Sequence, residues 1–134
     1  MMSPRRLPLA VCLALGGLGL AAVLAGAPAA PPPPAGFQLG GDAERGKAVF
    51  AKRCALCHGA NGDGKSKMAA SLKPKPVDLT NKAVTDRRSD WELYLVVRDG
   101  GPAIGLSKTM FAWKDLLPDQ EIRDAAAFVR ALGR

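Results

Sequence analysis

Three stretches of the chain place apolar residues at helical spacing, and none alternates apolar and polar residues as a half-buried strand does. The first begins near Asp42, a good N-cap, and runs without proline to Cys54. Gly46, Phe50 and Cys54 recur every four residues and so share one face. Glycine at position 46 weakens a helix by up to about 1 kcal/mol against alanine, so its use on a packed face suggests close approach by another helix. The second stretch opens with Ser89-Asp90-Trp91-Glu92, a capping-box pattern. It predicts a helix from Asp90 to about Arg98, stopped by Gly100 and Gly101. The third runs from Pro118 or Asp119 to Leu132, with Ile122, Ala125, Phe128 or Val129, and Leu132 as its apolar stripe. Between them lie a turn-rich loop, Gly59–Gly64, a short helical turn over Lys67–Leu72, and an extended Lys73–Pro76 connector. Gly100–Met110 reads as a Gly- and Pro-rich loop. The expected fold class is all-α, with three main helices.

The first 41 residues have a different character. Arg5 and Arg6 precede an uncharged apolar run of 21 residues, Leu7 to Ala27. Ala27-Pro28-Ala29 offers an A-x-A cleavage pattern, which makes residues 1–29 an export leader. The run is longer than the usual ~7–15 residues of a signal core and long enough to span about 30 Å of hydrocarbon, so an uncleaved anchor over residues 7–27 is the rival reading. Either way the two arginines stay inside, and residues 36–134 face the exported side, a periplasmic location. Cys12 falls within the leader and reads as filler. Residues 30–41 complete a Pro-rich, uncharged stretch expected to be an extended spacer outside the fold. The folded domain is then 42–134.

A formal charge of +7, or +5 without Arg5 and Arg6, comes from scattered bases with no long like-charge run. No recognition motif accompanies that charge, so nucleic acid is not an expected partner. A core of this size is small, and a bound cofactor would add buried contacts that it needs.

Candidate chemistry is concentrated in Cys54-Ala55-Leu56-Cys57-His58. C-x-x-C-H is the signature of covalent haem attachment. Two thiols at i and i+3 lie on one helical face and can bond the two neighbouring vinyl groups of one haem edge. The adjacent His58 is then carried under the macrocycle as an iron ligand. A structural zinc site fails on ligand count, since the exported part offers only Cys54, Cys57 and His58. A redox C-x-x-C usually sits in a βαβ setting that is missing here. A disulfide between Cys54 and Cys57 would close too short a loop to stabilise the chain.

His58 is the sole histidine, so bis-His ligation within the chain is excluded. Two methionines remain outside the leader: Met68, ten residues after His58, and Met110, 52 residues after it. Met68 falls in a predicted helical turn and reads as a packed apolar residue. Met110 follows a flexible loop and can cover the opposite haem face, which makes it the expected sixth ligand.

Residues 42–134 resemble a class I, single-haem c-type cytochrome. The resemblance rests on Gly41-Asp42-Ala43-Glu44-Arg45-Gly46, Phe50, Cys54–His58, Asn61-Gly62-Asp63-Gly64, Met110 with Trp113, and Ala127-Phe128-Val129. It implies that the first and last helices cross near Gly46 and Phe50, with Phe128 packed at the crossing. It further implies that a carbonyl of Pro74 or Pro76 orients His58 through its second ring nitrogen. Phe111 stands where the family often has proline after the ligand methionine, and Pro118 where a Ser or Thr cap is common. Trp91, Tyr94 and Trp113 read as haem-pocket packing, and Arg98, Lys108 and Lys114 are candidates to meet the haem propionates.

Iron closed by His58 and Met110 leaves no position for substrate, so the expected function is one-electron transfer and not enzymatic catalysis. Redox proteins with acidic docking patches are the expected partners, drawn by the surface bases. The alternative is a haem-based sensor with an open or labile sixth position. A peroxidase-like activity would need acid/base groups over open iron, and the chain has no second histidine to serve.

Overall fold

The computed structural model describes residues 30–134, and all of its helices lie between Ala43 and Leu132. The leader, its cleavage pattern, Cys12 and the 7–27 run lie outside the described residues. Six α-helices follow in order: α1 Ala43–Arg53, α2 Ala55–His58, α3 Lys67–Ser71, α4 Lys82–Thr85, α5 Asp90–Asp99 and α6 Asp119–Leu132. A single 3₁₀ turn, Gly101–Ile104, follows α5. No strand is present among the described residues, so the all-α expectation holds. The main helices are α1, α5 and α6; α4 and the 3₁₀ turn add to the elements the sequence predicts.

Local caps fix the helix starts. Asp42 accepts from the Arg45 N–H at 2.9 Å. Ser89 and Glu92 form the reciprocal capping box expected of them. α6 begins without a side-chain cap after Pro118, and Asp119 and Glu121 supply negative charge to its first turn.

The α1–α6 crossing is a close one. A Cβ on Gly46 would lie 1.9 Å from the Asp124 carbonyl oxygen and 2.9 Å from the Phe128 Cβ. The helices therefore meet backbone to backbone, and only glycine fits at position 46. Phe50 and Phe128 pack there with ring centroids 5.2 Å apart, as the resemblance implied. Charge locks the crossing beside them. The Asp124 carboxylate, 4% exposed, accepts from the Asp42 N–H at 2.7 Å, Arg45 Nε at 2.7 Å and Gln120 Nε2 at 2.9 Å.

Two apolar clusters flank this crossing. One joins Phe50 to Leu93, Ala126 and Val129. The other joins Tyr94 and Val97 to Trp113, Leu117, Ile122 and Ala125. Arg130 ties α6 to the end of α4 and the start of α5, donating to the Thr85 carbonyl at 2.7 Å and to Asp90 at 2.8 Å.

The segment expected as a free spacer behaves differently. Its backbone is extended apart from a turn at Ala35-Gly36, but it lies along the body. Trp91 Nε1 donates to the Pro31 carbonyl at 2.7 Å. The Phe37 ring sits 4.7 Å from that of Trp91 and 5.5 Å from that of Tyr94, with the Arg123 guanidinium over it at 5.6 Å. Arg123 also donates to the Gln38 and Leu39 carbonyls, and Gln120 to the Gly40 carbonyl. Proline-rich composition made the backbone stiff, but Phe37 and Leu39 gave it apolar surface to bury. Trp91, read from sequence as haem-pocket packing, is committed to this strap.

Candidate functional site

Cys54 ends α1 and starts α2, so the C-x-x-C-H residues occupy one short helical turn. Its N–H donates to Phe50 O at 2.8 Å, and the His58 N–H returns to Cys54 O at 2.9 Å. The turn is braced from outside by the Asn61–Gly64 loop. Gly64 N–H donates to His58 O at 2.8 Å. Gly59, at φ +82°, reverses the chain after the motif, and a Cβ there would strike the Asp63 carboxylate. Ser66 Oγ donates to the Leu56 carbonyl at 2.7 Å while accepting from Ala69 N–H at 2.9 Å. It caps α3 and ties that helix to α2 with one hydroxyl. Sequence reasoning passes over Ser66, although a Ser three residues before the first buried position of a short helix is a cap signal.

Both cysteines are free thiols and partly buried, so no Cys54–Cys57 disulfide competes with attachment. Burial, reinforced by the charge of Cys57, pushes the Cys54 thiol up to about 11. Burial also pulls the His58 imidazole down, which favours the neutral form that ligates metal. The His58 Nδ1 is the single buried side-chain nitrogen or oxygen among the described residues with no hydrogen-bond partner. The Pro74 or Pro76 carbonyl that the resemblance assigned to it is not bonded there. Pro76 O instead faces Gly64, whose Cβ would lie 2.7 Å from it.

Met110 lies on another part of the core. It is partly buried against the Tyr94–Trp113 cluster, whereas Cys54 lies against the Phe50 cluster. Met68 is 40% exposed, so it is not the packed core residue expected from its helical setting; its neighbour Ala69 takes that place. Among the propionate candidates, Arg98 and Lys114 both pair with Asp99, at 2.8 and 3.3 Å.

These residues fit a covalently held haem. They supply two uncrosslinked thiols on one helical turn and, next to them, a largely buried imidazole with a nitrogen unused by the protein. Leu56, inside the motif, adds a large exposed apolar side chain that an apolar macrocycle bound there would cover.

Comparison with known proteins agrees with this chemistry. The model of the family described as cytochrome C oxidase, cbb3-type, subunit III matches residues 41–129. The cbb3-type cytochrome c oxidase subunit FixP of Sinorhizobium medicae is 32% identical over 90 residues, which is 67% of this chain and 27% of that protein. FixPc of Rhizobium leguminosarum bv. viciae is 33% identical over 93 residues, 69% of this chain and 29% of its own length. The chain thus spans little more than a quarter of the relatives it matches. In structure it resembles the KustC0563 c-type cytochrome, with a TM-score of 0.52 at 18% identity over 66% of this chain and 98% of that one. The fold is shared at a TM-score of 0.52 with a chain of the Kuenenia stuttgartiensis reducing HAO-like protein complex, 23% identical over 68% of this chain and 42% of that one. With the family match running through α1, the C-x-x-C-H turn and most of α6, the chain belongs to the cytochrome c oxidase, cbb3-type, subunit III family and is a c-type cytochrome domain with covalently bound haem c.

Proposed function

We propose that the chain is a one-electron carrier holding a single haem c through Cys54 and Cys57, with His58 and Met110 as axial ligands. The observation that carries this is the Cys54–His58 turn, whose thiols are free and whose imidazole is largely buried and unused. Haem iron supplies the electron exchange. The protein's part is to hold two thioether sulfurs and an imidazole on one turn braced by the Gly59–Ser66 loop, and to bring a methionine from a separate segment. Held by His58 and Met110, the iron would have a raised reduction potential and no site for substrate, so the chain would move electrons without bond chemistry of its own. The cytochrome relatives support this reading and lend nothing to ligand sensing.

The relatives are named as oxidase subunits, which makes a cbb3-type oxidase or a similar respiratory assembly the electron acceptor of choice. Lys65, Lys67, Lys73 and Lys75 lie on α3 and its flanks, next to the motif turn, and have no carboxylate within ion-pair distance among the described residues. They suit acidic patches on a redox partner. No described helix is long and apolar enough to cross a membrane. Membrane attachment would come from residues 7–27, with residues 42–134 as the haem domain on the periplasmic side and residues 30–41 joining the two.

The test is a visible spectrum of the protein from a host with haem-maturation machinery, oxidised and reduced, with a haem stain after denaturation. Attached haem and a low-spin spectrum are expected. Met110→Ala should abolish the sulfur-to-iron absorption of the oxidised form, and Met68→Ala should leave it intact. The reverse result transfers the ligand role to Met68; a colourless product removes the function.

A further inference from the structure

We propose that Gly101, supported by Gly100, is a positioning residue for Met110: backbone contact between this glycine pair and the methionine holds its thioether in place. The inference rests on Met110 being the sixth ligand. A methionine side chain has three soft torsions and makes no strong hydrogen bond, so its location follows from where its backbone is fixed.

Both main-chain groups of Met110 are tied. Its carbonyl accepts from the Gly101 N–H at 2.7 Å, and its own N–H donates to the Ser107 carbonyl at 3.2 Å. The two anchors meet at the face where Gly101 lacks a side chain. A Cβ there would lie 2.1 Å from that same Ser107 oxygen. Gly101 O also accepts from Leu106 N–H at 2.8 Å, so the glycine is bonded across the loop through both its N–H and its carbonyl. Gly100 sits at φ +87°, and a Cβ on it would lie 2.8 Å from Met110 O and 3.1 Å from Ala112 N. Both glycines are buried.

Beyond Met110 the chain is held by the end of α5. Trp113 N–H donates to the Val97 and Arg98 carbonyls at 3.1 Å, and Lys114 N–H to Arg98 O at 3.0 Å. These carbonyls belong to the last turn of α5, where no helical N–H remains for them. The ligand segment is thus clamped between a glycine pair that admits its backbone and a helix end that bonds it.

An added ligand reaches the iron only in the fraction of molecules whose methionine has left it, so apparent affinity scales with that fraction. Oxidised, haem-loaded Gly101→Ala should bind imidazole at least about tenfold more tightly than the parent protein, with a weakened sulfur-to-iron band. Gly133→Ala is the control. Its Cβ would lie 1.9 Å from Thr85 Oγ1, a clash at similar distance but with a side chain and away from this loop. It should lower the melting temperature and leave imidazole affinity unchanged. Unchanged affinity in Gly101→Ala, with tight binding in Met110→Ala, overturns the positioning role and keeps the ligand. If Met110→Ala also binds imidazole no better than the parent, the ligand assignment itself falls. Should Gly101→Ala give no soluble haem protein, Gly100→Ala decides by the same titration: tighter binding supports the clamp, and parental binding refutes it.

Discussion

Replacing Asp124 with alanine should cost about 2–4 kcal/mol at neutral pH. The magnitude follows from who loses what. The carboxylate is 4% exposed and accepts four hydrogen bonds, from Asp42 N, Arg45 Nε and Nη2, and Gln120 Nε2. Arg45 is 59% exposed on its side chain and can turn to water, so its share is at most about 1 kcal/mol. Gln120 is exposed and loses little. The Asp42 N–H is a fixed backbone donor at the start of α1, and leaving it unpaired costs about 1–3 kcal/mol. Burial would push the Asp124 carboxyl up, but hydrogen bonds from Arg45, Asp42 N–H and Gln120 outweigh it and hold the carboxyl below its ordinary value. The contribution is therefore complete above the unfolded carboxylate pKa of about 4 and is lost as pH falls through the lower folded value. Urea unfolding of the haem-loaded protein, followed by far-ultraviolet circular dichroism, measures this directly. The gap between parent and Asp124→Ala should shrink on going from neutral pH to below about pH 4. A gap under about 0.5 kcal/mol at neutral pH, or one that does not change with pH, refutes the reasoning. Arg45→Ala should cost under about 1 kcal/mol although it removes two of the four bonds; a cost equal to that of Asp124→Ala would show that the exposed partner, not the backbone donor, dominates.

Three further outcomes are expected. Gly46→Ala forces α1 and α6 apart, since the new Cβ meets backbone at 1.9 Å, and should destabilise by about 3 kcal/mol or more in the same unfolding assay; a loss below about 1 kcal/mol would mean that the crossing yields easily. Ser89→Ala removes the capping box of α5 and should cost about 1 kcal/mol, read as a Tm fall of about 4–8 °C. Phe37→Ala should free the 31–40 segment from Trp91 and speed its cleavage by a protease with low sequence preference, while circular dichroism shows the helices intact; unchanged cleavage would mean that the main-chain bonds from Trp91, Arg123 and Gln120 suffice.

What the sequence made legible was what neighbouring residues decide. Asp42 and Ser89 cap helices through partners three residues away, and each behaves as its local pattern implies. The C-x-x-C-H turn is equally local. Gly46 shows the limit: its spacing with Phe50 and Cys54 revealed a packed face, but the partner came only from the cytochrome resemblance. Nothing local marks Asp124 out among the polar residues of α6; it is buried because Gly46 lets α1 approach, and its partners Asp42 and Arg45 are 82 and 79 residues away. The packing of residues 30–41 is invisible to composition for the same reason, since Trp91 lies 60 residues from Pro31. Met68 failed differently: a helical turn of five residues has one inward face, and Ala69 takes it.

The docked strap moves the point at which the chain enters the haem domain. Drawn out straight, residues 31–41 would extend by about 3.1 Å each, about 34 Å in all. Laid along α5 and α6, that length is withdrawn, and whatever precedes Pro31 meets the domain beside Trp91 and not at the head of α1. If residues 7–27 anchor the chain as proposed, a strap held this way would limit how far and in which directions the haem domain can swing.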